Sequence, residues 1–261
     1  MTSVREDEDL AEVLVTAQRE DIDVLVDILT DNGKGRLFLS NESRDTLCTA
    51  KDQQAYSEEV LELIAHLIQW YGGNTLANLC RKGKGVAYRV LLEGVADNLK
   101  IRLPKETHVA ELERAVITSI FQKAWSWMSP DERAATFEFI GQGAAAGEGP
   151  LTADALQRLL KTDGGSTYRL AMGVANAMSM RVTGHGVPLV PVLVPLLGPI
   201  GAAISAVWTM ADLSAPSYRV TVPCVVQIAY MRQKRLVRAC PKCAAANSRE
   251  AKFCSNCGHQ F

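Results

Sequence analysis

Residues 186–208, GVPLVPVLVPLLGPIGAAISAVW, decide how the rest of the chain is read. They sit inside a longer run, 182–211, that holds no Asp, Glu, Lys or Arg. Thirty residues without a formal charge exceed the roughly 20 needed to span a bilayer, so the run must be buried in a protein core, a bilayer or a partner. Gly198, Gly201 and Ser205 place small residues at helical spacing, which permits close helix contact. Pro188, Pro191, Pro195 and Pro199 argue against a regular span, since each removes a donor and crowds the preceding turn. Residues 200–211 then leave only about 18 Å of helix. A second apolar run, 214–230, makes the whole a hairpin over 187–230, with Arg219 and Pro223 inside its second arm. Arg219 near mid-bilayer would cost about 2.5–3.5 kcal/mol. The basic residues Arg232, Lys234, Arg235 and Arg238 follow at once, and as flanking charges they favour the cytoplasmic side. A buried hairpin at the centre of a helical domain and a membrane hairpin with both ends in the cytoplasm both satisfy this pattern.

Upstream the periodicity is helical. Leu10, Val13 and Leu14 give one short helix a face, and Ile22, Val24, Leu25, Ile28 and Leu29 give a second, with the many N-terminal acids on their solvated sides. DNGKG at 31–35 is a turn. It is no calcium loop, because Gly33 and Gly35 stand where oxygen ligands are needed and Arg36 where the turn glycine is needed. Val60, Leu63, Ile64, Leu67 and Ile68 form an amphipathic stripe, ended by Gly72 and Gly73. RKGKG at 81–85 lacks the spacing of a phosphate cradle and reads as a solvated turn before a helix over 86–99. A further helix over 108–128 carries Trp125 and Trp127, which cannot both centre on one face. Ser129, Pro130 and Glu132 then spell a capping box. GQGAAAGEGP at 141–150 is a linker. Helical signals resume over 151–160 and 166–181, with Gly164 and Gly165 between them. His185, between two glycines, reads as a turn residue.

With 261 residues and a net charge of −1, the chain can bury a substantial core and has no global bias toward nucleic acid or anionic lipid. Residues 1–15 are acidic rather than basic then apolar, so no secretory signal is expected. Of seven cysteines, Cys48, Cys80 and Cys224 stand apart and read as small apolar core residues. The other four form CxxC-x10-CxxC: Cys240, Cys243, Cys254 and Cys257. Each CxxC folds as a knuckle that aims two thiolates at one ion, and two knuckles complete a tetrahedron. A segment of this length has almost no core, so metal binding must supply much of its folding energy. Zinc is the expected ion, in a structural site with no open position; iron fits the same thiolates. A reducing cytoplasmic location follows, with the inner face of the cell membrane as the alternative if the hairpin meets lipid.

These residues carry two resemblances. CPKC, AKFCSNCG and the terminal Phe261 resemble the short zinc ribbon appended to many bacterial proteins. DIDVLVDILT, YGGNTLANLCRKGKGVAYRVLLEGVADNLK, GHG at 184–186, GPIGAA and SYRVTVPCVVQIAYMRQK resemble the uncharacterised bacterial YaaW-like family, related to ubiquinol–cytochrome c chaperones. That resemblance implies a largely helical protein with a chaperone-like, binding role and transfers no catalytic residue.

The expected architecture is all-α: an N-terminal short-helix segment (1–50), a multi-helix body (51–236) with the central apolar hairpin 187–230, and a C-terminal zinc ribbon (237–261). The expected function is non-enzymatic: an interaction or assembly protein that holds a protein partner. A membrane-acting hairpin and a nucleic-acid-binding ribbon with its basic run 232–242 stand as alternatives. No nucleophile–base pair suggests an enzyme, and the YR pairs Tyr88–Arg89 and Tyr218–Arg219 read as aromatic–cation packing.

Overall fold

The computed structural model describes residues 7–36, 38–73, 85–140, 164–184 and 218–261. Among these the chain is mostly helical. The helices are α1 (Glu8–Val15), α2 (Arg19–Thr30), α3 (Asn41–Asp52), α4 (Glu58–Gly72), α5 (Tyr88–Asn98), α6 (Val109–Trp127), α7 (Pro130–Ile140), α8 (Gly164–Thr183) and α9 (Tyr218–Arg235). Two strands follow, β1 (Val237–Ala239) and β2 (Ala246–Ser248).

The helix α9 organises the body. Its sequence, YRVTVPCVVQIAYMRQKR, is largely apolar from Val220 to Met231, with its charges gathered mainly in the last turn, and such a segment belongs inside. Val220 to Gln233 is buried without interruption, and α9 touches α1, α2, α4, α5, α6 and α8. Pro223 lies in its second turn, where the missing donor frees one carbonyl without ending the helix. Tyr168 of α8 stacks on Tyr230 of α9 with ring centroids 5.9 Å apart. An early residue of one thus meets a late residue of the other. The described part of the second hairpin arm is therefore a core helix of the protein body. No described helix is long and apolar enough to cross a membrane. The uncharged run from residue 185 onward, His185, Cys80, the linker 141–150 and the expected helix over 151–160 lie outside the described residues.

Local signals explain most helix boundaries. Ser40 and Ser57 accept from the third amide beyond them and so cap α3 and α4. Ser129 and Glu132 exchange bonds of 2.7 and 3.3 Å, the reciprocal box expected at the start of α7. Trp125 is buried and Trp127 is 57% exposed, as one helix face requires. The helix α3 was not foreseen: NESRDTLCTAKD buries only Leu47 and Ala50, too sparse a stripe to read. Gly164 and Gly165, expected to separate helices, form the first turn of α8 instead.

The N-terminal acids also depart from expectation. They do more than face water. Asp7 leaves its own helix uncapped, and its carboxylate accepts from Tyr88 N–H (2.7 Å) and Gln69 Nε2 (2.8 Å). It thereby caps α5 across the fold, where the local cap residue, Ala87, has no acceptor. Asp21 is 1% exposed and receives Lys234 Nζ at 2.8 Å; burial raises its carboxyl and the ammonium opposes that rise.

A buried polar cluster joins four helices. Tyr88 Oη donates to Glu113 Oε1 and Arg232 Nε donates to Glu113 Oε2, both at 2.8 Å, and the Glu113 side chain is fully buried. The remaining Arg232 nitrogens reach Glu12 Oε2 (3.1 Å) and Asp9 O (2.7 Å), so each of its three nitrogens has a partner. Arg235 Nη2 adds a second bond to Glu12 at 3.0 Å. The basic run after the apolar arm is thus a clamp onto α1, α2 and α6. The YR reading changes too: Tyr88 pairs with a carboxylate, and Arg89 donates to the carbonyls of Lys105 and Thr107.

Candidate metal centre

The chain leaves α9 at Arg235 and turns directly into β1, which pairs antiparallel with β2 through Val237–Ser248, Arg238–Asn247 and Ala239–Ala246. The hairpin packs on α8 and α9, so the tail rests on the body. Cys240 and Cys243 form one knuckle just after β1. Cys254 and Cys257 form the other, held by Cys254 N–H donating to His259 O at 2.7 Å.

The two knuckles repeat one backbone device. Ala244 N–H donates to Cys240 O at 2.8 Å, and Gly258 N–H donates to Cys254 O at 3.0 Å. The residue after each closing cysteine is left-handed, with φ of 58° at Ala244 and 69° at Gly258. Glycine adopts this freely, whereas a Cβ costs about 1–2 kcal/mol. Ala244→Gly is therefore expected to stabilise the metal-loaded tail by about 1 kcal/mol. Metal retention against a graded chelator measures it, and unchanged or weaker retention would contradict the strain.

The four sulfurs converge. All lie within 4.8 Å of one another, with Cys240–Cys257 at 3.7 Å and Cys243–Cys254 at 3.6 Å. A zinc–sulfur bond of about 2.3 Å gives a tetrahedron edge of about 3.8 Å, so these separations fit a thiophilic ion. Electrostatics favour the same conclusion. Burial raises the Cys254 thiol, but the Cys257 and Asn256 amides, Cys243 and Asn247 outweigh it and bring it down to about 6. Cys257 moves the other way: the His259 amide lowers it, yet the neighbouring thiols and desolvation push it up to about 12. Four thiolates cannot crowd together without a cation, and a divalent ion removes that conflict.

Supporting side chains surround the sulfurs. Asn247 Nδ2 donates to Cys254 Sγ at 3.5 Å, and Lys242 N–H to Cys240 Sγ at 3.4 Å. Phe261 packs on the cysteine cluster, and the Arg238 guanidinium stacks over its ring at 3.7 Å. All four cysteines singled out in the sequence are brought together. His259 stands outside the sulfur group, edge-on to Phe261 with ring centroids 6.0 Å apart. Arg238 and Asn247 were not legible as partners of the site, because their cross-strand pairing is a matter of register. Of the isolated cysteines, Cys224 is buried, which pushes its thiol up to about 12, and Cys48 is half-buried.

The fold and site define a helical protein whose C-terminal two-stranded unit gathers four cysteines suited to a metal such as zinc. The chain belongs to the UPF0174 family. It is 33% identical over 183 residues to a UPF0174 protein of Helicobacter pylori strain J99, covering 66% of this chain and 71% of that protein. To the UPF0174 protein YaaW of Escherichia coli O157:H7 it is 32% identical over 223 residues, 79% of this chain and 86% of the relative. A second J99 UPF0174 protein is 31% identical over 205 residues and covered to 97% of its length. No protein-family model matches the chain, and no solved structure matches it.

Proposed function

We propose that this chain is a non-enzymatic interaction or assembly protein of the reducing cytoplasm, chaperone-like in role, with a structural zinc ribbon at its C-terminus. The observation that carries the zinc assignment is the convergence of four cysteine sulfurs within 4.8 Å. Cys240, Cys243, Cys254 and Cys257 would hold the ion, which supplies cross-linking and charge neutralisation to a unit with little apolar core. A four-thiolate shell leaves no coordination position for a substrate, which favours a structural role over hydrolysis.

The binding role rests on the layout of α9. In sequence the uncharged run 182–211 precedes α9 and the ribbon follows it, and α9 itself is 18 helical residues, about 27 Å long. A rigid, buried α9 anchors the metal-stiffened unit to the body, and the uncharged run is the segment long and apolar enough in sequence to engage a protein partner. Nucleic acid is the weaker candidate, since Arg232, Lys234 and Arg235 already pair with Glu113, Asp21 and Glu12. A membrane surface is the second reading, favoured by the thirty uncharged residues of 182–211.

The test compares the full chain with one in which 187–211 is replaced by a Gly–Ser linker. Quantitative cross-linking at native expression level should recover a stoichiometric protein partner with the first and lose it with the second. Equal recovery by both, or no stoichiometric partner, contradicts the proposal. Vesicle co-sedimentation that depends on 187–211 would transfer the role to a membrane surface.

A further inference from the structure

We infer that Asn247 is a positioning residue of the metal centre, setting the second knuckle and donating a hydrogen bond to the Cys254 sulfur; this rests on the metal reading above. Asn247 lies in β2 and is only 2% exposed. A buried carboxamide must satisfy two N–H donors and two acceptor lone pairs, and Asn247 satisfies all four. Its Nδ2 donates to Ala245 O at 2.7 Å and to Cys254 Sγ at 3.5 Å. Its Oδ1 accepts from Ser255 N–H at 2.8 Å and from Ser255 Oγ at 3.1 Å. The reverse amide orientation would set Nδ2 against the Ser255 N–H, donor against donor, so the network itself selects the orientation.

The connectivity gives this amide its role. Ala245 follows the first knuckle, and Cys254 and Ser255 open the second, so one side chain spans both halves of the ligand set. Its backbone pairs with Arg238, which stacks on Phe261 over the cysteine cluster. Asn247 and its cross-strand neighbour therefore brace the cluster from two directions. The donor to Cys254 also withdraws charge from one sulfur in particular, so the four ligands are not equivalent. No other amino acid reproduces the pattern. Aspartate keeps the shape but turns both donors into acceptors beside a carbonyl and a thiolate, alanine leaves the Ser255 amide unpaired, and glutamine is one methylene too long. Hydrogen-bonding partners of metal ligands orient them and tune the metal, and their loss typically lowers affinity by about 10–100-fold.

The experiment uses the full chain and Co(II), whose sulfur-to-metal charge-transfer absorption reports each thiolate directly. Wild type, Asn247→Asp and Asn247→Ala are titrated with Co(II) against a competing chelator, with far-UV circular dichroism confirming the helical body in each. Expected is one tetrathiolate Co(II) per wild-type chain and an affinity loss of about 10–100-fold for Asn247→Asp. At saturating Co(II) the charge-transfer band should move to lower energy in both variants, because the Cys254 lone pair loses its donor. Affinity within about threefold of wild type overturns the inference while leaving the metal centre standing. An affinity loss with an unmoved band overturns it as well, since a merely structural contact would do that. A wild-type chain that takes up no Co(II) removes the metal reading and this inference with it.

Discussion

Arg232→Ala is expected to lower the unfolding free energy by about 3–5 kcal/mol, because it leaves the Glu113 carboxylate buried without its cation. The same change strips the donor from Asp9 O and one partner from Glu12, loosening α1 from α9. Replacing both partners by apolar residues separates the loss of a contact from the stranding of a charge. Arg232→Met with Glu113→Leu and Tyr88→Phe, which also removes the hydroxyl that donates to Glu113, should lie within about 2 kcal/mol of wild type, since well-packed apolar residues often substitute for a buried pair. The deficit of Arg232→Ala should also depend on pH. Burial is the largest influence on Glu113 and raises its pKa, while Arg232 is the leading opposing one. Without Arg232 the folded carboxyl rises further above its unfolded value. A group raised in this way adds stability below its unfolded pKa and loses that stability as pH rises through its folded pKa. The penalty should therefore be largest near neutrality and shrink toward about pH 4, by which point the stranded carboxyl has already taken up a proton. Urea unfolding of the three chains at both pH values measures this. A triple variant no better than Arg232→Ala, or a penalty that grows in acid, would contradict the account.

Removal of the metal is the second large effect. Apparent binding free energies of structural zinc sites run to about 10–16 kcal/mol, so an equal share for one of four ligands predicts a loss of about 10²–10³-fold in affinity for Cys254→Ser. The consequence should be local. The cysteine cluster of the tail, Cys240, Ala245 and Cys254 with Cys243, Cys257 and Phe261 beside them, is separate from the main core. Chelation should therefore unfold the ribbon and leave the helical circular dichroism nearly unchanged. Trypsin should then cut after Lys242, Arg249 and Lys252, which lie in and between the knuckles, before it cuts the body. Resistance of these bonds in the metal-stripped chain would show that the ribbon holds itself together without an ion.

Much of the helical body is legible from periodicity and caps. Val60, Ile64, Leu67 and Ile68 mark α4 at helical spacing, and Ser129 with Glu132 marks the start of α7. The four cysteines announce their site by spacing alone, because a thiolate knuckle is a local motif. Long-range charge is what the sequence hides. Arg232, Lys234 and Arg235 look like a free basic run, yet their partners Glu12, Asp21 and Glu113 lie more than a hundred residues away in sequence. Asp7 stands at the N-cap position of α1, yet its carboxylate caps α5. The left-handed turn at Ala244 is equally invisible, since alanine gives no hint of a positive φ where Gly258 does.

The central claim is that the four-cysteine tail is a structural metal site, and native mass spectrometry of the full chain purified without added metal tests it most directly. The account predicts one zinc per chain, absent from Cys254→Ser, with the four thiols protected from alkylation only while the ion is bound. A wild-type chain that carries no metal, binds none when zinc is supplied, and alkylates at all four cysteines as readily as when denatured would contradict it.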